Sequence, residues 1–153
     1  MRLLIALLFP TLLFAQPSPV QLITPQDSSV GVTSPIQFRW SKSTGAMAYA
    51  LQVSLSNAFT SNVIDQSSAD TTYSTSILQM SIRYYWRVRA ENLSGASAWS
   101  QRLFTTKLSI PSLLNPLQDE KDVNLRPTLR WSGVISASRY ILQLATDSLF
   151  VST

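Results

Sequence analysis

Cysteine and histidine are both missing from the 153 residues, and the two absences remove most of ordinary enzyme chemistry. Without imidazole or thiol there is no Ser-His or Cys-His nucleophile pair, no imidazole general base, and no thiolate or imidazole metal site. No disulfide can brace the fold, so any core is held by apolar packing alone. Glycine is scarce, at four residues, and no Gly-rich loop is present to cradle a phosphate. Charge is sparse as well. The 12 Lys and Arg against 8 Asp and Glu give a net charge of +4, below the basic surplus of a nucleic-acid-binding domain, so no nucleic-acid partner is expected.

What is present begins with an apolar run of twelve residues, Leu3 to Phe14, which follows Arg2, is interrupted by Pro10 and gives way to polar sequence after Ala15. This is the layout of a secretory signal peptide, residues 1–15, with cleavage expected after Ala15. The run falls short of the ~20 residues a membrane-spanning helix needs, so no integral membrane span is expected once it is removed. No cysteine follows it, which excludes a lipid attached through a processed N-terminal Cys. The expected address is secreted or cell-surface, and a cysteine-free exported domain fits a bacterial protein better than a eukaryotic ectodomain.

The remainder repeats. Pro25, Phe38-Arg39-Trp40-Ser41, Tyr49, Leu51-Gln52 and Phe59 recur as Pro116, Leu129-Arg130-Trp131-Ser132, Tyr140, Leu142-Gln143 and Phe150, every pair 91 residues apart. That period is too long for a solenoid repeat and suits an array of small domains. The expected organisation is one complete unit over residues 16–107 and a partial second unit over 108–153, comprising its first three strands. The short link Lys107 to Pro111 would set neighbouring units end to end with limited flexing.

Within the first unit, short alternating segments lie between clusters of Pro, Gly, Ser, Asn and Thr, the mark of antiparallel strands. Strands are expected near Gln21–Ile23, Ile36–Trp40, Ala48–Leu55, Val63–Gln66, Thr71–Thr75, Arg83–Asn92 and Ser100–Thr105. Period-two spacing turns Ile36, Phe38 and Trp40 inward, with Tyr49, Leu51 and Val53 from one neighbour and Tyr84, Trp86, Val88 and Ala90 from another. Two sheets closing over these faces make an all-β sandwich with a single core.

Trp40 on the second expected strand, Tyr49 on the third, and Leu78 six residues before Tyr84 resemble the signature of fibronectin type III domains. The resemblance implies an immunoglobulin-like β-sandwich in which Tyr84 forms a tyrosine corner packed by Leu78. It also implies that Trp131 and Tyr140 are the second unit's counterparts of Trp40 and Tyr49. Met80-Ser81-Ile82 departs from the Pro-Gly turn common in that family.

The chemistry-bearing residues are few. Asp65 and Asp70 are the nearest approach to a glycosidase carboxylate pair, but five residues apart at a strand end and turn they read as solvated side chains. Asp119, Glu120 and Asp122 could gather a calcium ion, yet the matching stretch Gln26-Asp27-Ser28-Ser29 holds one carboxylate, so a hydrated loop is expected. Arg83, Arg87 and Arg89 beside Tyr85 and Trp99 are the constellation that stands out. Arg87, Arg89 and Trp99 could form a ligand surface for acidic glycan. By resemblance to cytokine-receptor relatives, whose Trp-Ser motif stacks between arginines, Trp99-Ser100 implies instead an internal cation–π ladder. Asn92-Leu93-Ser94 matches a glycosylation sequon by pattern only. No catalytic residue, metal site or cofactor is expected. The resemblance implies a non-catalytic extracellular module acting as spacer, scaffold or protein- or glycan-interaction domain of a larger protein. The alternative is an accessory or linker domain at the N-terminus of a secreted polysaccharide-degrading enzyme.

Overall fold

The computed structural model describes residues 15–151, so the expected signal peptide lies, Ala15 aside, outside the described residues. These form strands and no helix: β1 (Leu22–Thr24), β2 (Ser29–Val32), β3 (Ile36–Trp40), β4 (Ala48–Ser54), β5 (Asn62–Ser68), β6 (Thr72–Thr75), β7 (Arg83–Asn92), β8 (Gly95–Ala96), β9 (Ser100–Thr106), β10 (Leu113–Asn115) and β11 (Arg130–Trp131). One sheet runs β1-β3-β6; the other runs β2-β9-β7-β4-β5, with β8 paired to β7. The β2–β9 pairing is parallel, and the other ladders of the sandwich are antiparallel.

Alternation drives this arrangement. Along β3 the residues Ile36, Phe38 and Trp40 are buried while Gln37 and Arg39 are exposed, and along β7 Tyr84, Trp86, Val88 and Ala90 are buried. A strand with one apolar face must cover it, and two such sheets cover each other. The Phe38 ring, from the smaller sheet, meets Trp86 edge-on at 5.1 Å between centroids and Phe104 at 5.9 Å. All three side chains are fully buried. The seven expected strands are present with their expected faces, and the all-β sandwich is the fold.

Two strands were not expected. In β2 the alternation is broken by Gly31, whose φ of 75° falls in the left-handed region that favours glycine. Strand β8 is only two residues long. Because β2 intervenes, Trp40 lies on the third strand and Tyr49 on the fourth.

The turn before β7 is tied by Tyr84. Its buried ring packs on Phe104 at 5.9 Å, and its hydroxyl accepts the Gln79 N–H at 3.0 Å, with Leu78 buried in the same core. At the departure from Pro-Gly, Ser81 takes the left-handed conformation, with φ 64°.

Residues 108–151 repeat local geometry of the first unit at the 91-residue offset. Leu22↔Trp40 and Thr24↔Arg39 pair in β1–β3, and Leu113↔Trp131 and Asn115↔Arg130 pair in β10–β11. The Tyr49 hydroxyl accepts the Ser43 N–H at 3.1 Å, and that of Tyr140 accepts the Val134 N–H at 2.7 Å. Trp40–Tyr49 and Trp131–Tyr140 ring centroids both stand 5.8 Å apart. Phe59 and Phe150 both have positive φ, 51° and 54°.

Among the described residues of this segment the strands are β10 and β11. Residues 139–145 follow no ladder, whereas their counterpart β4 is held between β5 and β7. Ile141, Leu142 and Leu144 are exposed.

Two substitutions test this architecture. Leu51→Ala, at a position 1% exposed, should lower the unfolding free energy by about 2–5 kcal/mol in urea titration. Tyr84→Phe leaves the ring but strands the Gln79 N–H, and should cost about 1–3 kcal/mol by the same measurement.

Candidate functional site

The outer face of the larger sheet carries a connected set of polar and aromatic side chains. Tyr85, Arg87 and Arg89 point away from the core on β7 and are half-buried. Opposite Arg87 stand Gln52 on β4 and Gln101 on β9, while Trp99 sits one residue before β9.

The Arg87 guanidinium lies 4.0 Å from the centroid of Phe59 and 4.3 Å from that of Trp99; the Arg89 guanidinium lies 4.6 Å from Trp99. The contacts therefore run Phe59, Arg87, Trp99, Arg89. Arg87 donates from Nε and Nη2 to Gln52 Oε1 at 2.8 and 2.6 Å. Gln52 in turn donates to Asp65 Oδ2 at 2.9 Å, and Asn62 reaches the same oxygen at 3.1 Å. Arg89 pairs with Glu91 Oε1 at 2.8 Å. Burial lowers the Arg87 pKa from its ordinary value, and the neighbouring Arg89 charge adds to this while Asp65 opposes it. Arginine stays cationic even so, because its ordinary value is so high.

Local sequence explains how Phe59 arrives there. The loop after β4 is closed by the Ser54 hydroxyl, which donates to Ser61 C=O and accepts the Ser56 N–H. Phe59 then turns back in a left-handed conformation with its ring buried. Sequence reasoning used Phe59 only as a repeat landmark and missed Gln52, Asp65 and Glu91 as partners. The period-two outward row of β4, read against that of β7, would have found Gln52.

Arg87, Arg89 and Trp99 are thus brought together. Arg83 is not: it pairs with Thr105 at the other end of β7, and Tyr85 lies opposite Ser54 and Leu103. Asp65 is a β5 residue held by Gln52, whereas Asp70 sits in the following turn with its N–H on Ser68 Oγ. Near Asp119 and Asp122, Glu120 accepts the Leu117 N–H at 2.7 Å. No group of three carboxylate, His or Cys side chains suited to a metal forms among the described residues. Asn92 of the sequon donates to both Ala15 and Gly45 carbonyls. Trp40, Tyr49, Leu78 and Tyr84 are core residues, and the Trp131 and Tyr140 rings meet at a tilt of 54°. No helix among the described residues is long and apolar enough to cross a membrane.

The family model for the Rha78A-like, N-terminal immunoglobulin domain matches residues 28–109, more than half of the chain. The chain belongs to this family. The Rha78A-like match takes in every strand of the sandwich from β2 to β9. A search of curated proteins gives no match. Solved structures similar to this chain include a Fn3-like protein from Clostridium thermocellum, with 16% identity, 60% of this chain and 92% of that one covered, and a TM-score of 0.43. The fibronectin type III domain of human fibronectin type III domain containing protein 3 gives 21%, 60%, 89% and 0.42. An α-L-rhamnosidase from Streptomyces avermitilis, complexed with L-rhamnose, gives 21% identity over 57% of this chain and 10% of that one, with a TM-score of 0.42.

If the stack stabilises the fold, Trp99→Ala should lower the unfolding free energy by about 1–2 kcal/mol, from two cation–π contacts at ~0.5–1 kcal/mol each. A double-mutant cycle with Arg87→Ala should return a coupling of at least about 0.5 kcal/mol. Additive losses would contradict the stack.

Proposed function

We propose that the chain is a non-catalytic β-sandwich module, exported to the cell exterior, that spaces or carries other domains of a larger protein. The observation that carries this reading is the commitment of Arg87, whose charge is stacked on Phe59 and Trp99 and whose donors are bonded to Gln52. A cation satisfied in this way supports the sheet and offers little to an external anion. The 91-residue correspondence of turns, register and ring contacts supports a tandem reading, with a first domain over 16–107 and a second beginning at 108.

One finding favours the more specific alternative. The family is described as an N-terminal immunoglobulin domain of the Rha78A-like type, which supports a place ahead of a glycoside-cleaving domain, as linker or accessory. Both readings give the sandwich no chemistry of its own.

The chain from Gln16 onward should release no p-nitrophenol from aryl glycosides, including the α-L-rhamnoside, and should pass through heparin resin at physiological salt as Arg87→Ala plus Arg89→Ala does. Turnover would overturn the non-catalytic reading. Retention that the double variant loses would make the Arg87, Arg89 and Trp99 face a ligand surface.

A further inference from the structure

The end of the sandwich opposite the Trp99 side carries a second set of committed polar groups, centred on Ser81. This serine is buried, at 3% exposure, and each of its hydrogen-bonding groups meets a residue C-terminal to the sandwich. Its N–H donates to Lys107 C=O at 2.9 Å. Its hydroxyl oxygen accepts the Ser109 N–H at 2.9 Å and lies 3.5 Å from Ser109 Oγ. Its carbonyl accepts from Ser136 Oγ at 3.4 Å, on the loop after β11. Around it, Thr106 Oγ1 accepts the Ile82 N–H at 3.0 Å and donates to Gln79 C=O at 2.8 Å. Lys107 N–H donates to Val32 C=O at 2.9 Å.

We propose that Ser81 pins a fixed joint between the sandwich and the residues that follow, with the loop of residues 134–137 of this same chain as the body docked there. A linker free to swing would leave the buried Ser81 hydroxyl and the Ser109 N–H without each other. The left-handed conformation of Ser81 is what directs its three groups at the linker, and serine supplies the hydroxyl that glycine in the same turn would lack. That the joint orients successive domains rests on the tandem reading; the pin itself does not.

Hydrogen exchange, read by NMR on the chain from Gln16 onward, tests this. The Ser109 amide should be protected in the parent chain and in Ser109→Ala, which keeps the N–H. In Ser81→Gly, which suits the backbone but deletes the hydroxyl, it should exchange at least tenfold faster while the Trp86 amide is unchanged. An unprotected Ser109 amide in the parent chain, or an unchanged rate in Ser81→Gly, would overturn the proposal. Should Ser81→Gly also quicken Trp86, tryptic cleavage of the parent chain decides. Cutting after Lys107 at least tenfold slower than after Arg139 supports the joint, and equal rates overturn it. None of these outcomes bears on whether the module is catalytic.

Discussion

The contact of Phe38 with Trp86 and Phe104 is the constraint on which the rest of the sandwich depends. It is made between sheets rather than within one, so neither sheet can shift its register without pulling these rings apart. No metal-binding residue cluster or disulfide among the described residues shares the task. The core even retains two buried indole N–H groups, of Trp40 and Trp86, that have no acceptor among the described residues.

With the interior fixed, the outer faces are free to differ, and they do. The outward row of β7 is bound up laterally in the order Phe59, Arg87, Trp99 and Arg89, with Gln52, Asp65 and Glu91 on its margins. The outward residues of β3, Gln37 and Arg39, are exposed. Like-charged neighbours such as Arg87 and Arg89 would repel on a bare sheet. Trp99, which both guanidinium groups face, and the Glu91 carboxylate beside Arg89 offset that repulsion, while Gln52 ties Arg87 across to β4.

The fold was legible because its strands alternate: β3 shows polar and apolar residues in strict turn, and in β4 and β7 the large apolar residues Tyr49, Leu51, Val53 and Tyr84, Trp86, Val88 recur at every second position, so period two says which face is which. What was not legible follows from the same rule. Strand β2, Ser-Val-Gly-Val, is short and half-exposed, and it joins the larger sheet by pairing in parallel with a strand more than 70 residues later, a contact that no local pattern encodes. The polar stack was visible as Arg87, Arg89 and Trp99, but Phe59 reaches it through a left-handed turn after β4, which alternation does not describe. Residues 139–145 keep the spacing of a strand yet follow no ladder, and alternation within a segment does not encode its partner.

The parallel pairing of β2 with β9 has a mechanical side. The chain enters the larger sheet at the start of β2 and leaves it at the end of β9, so tension applied to the two ends drags these strands past each other along their length. Bonds such as Ser28 N–H to Leu103 C=O and Lys107 N–H to Val32 C=O then bear the load together, in shear, where an antiparallel terminal pair would peel open one bond at a time. A sandwich threaded in this way resists stretching best along the line of its own polypeptide.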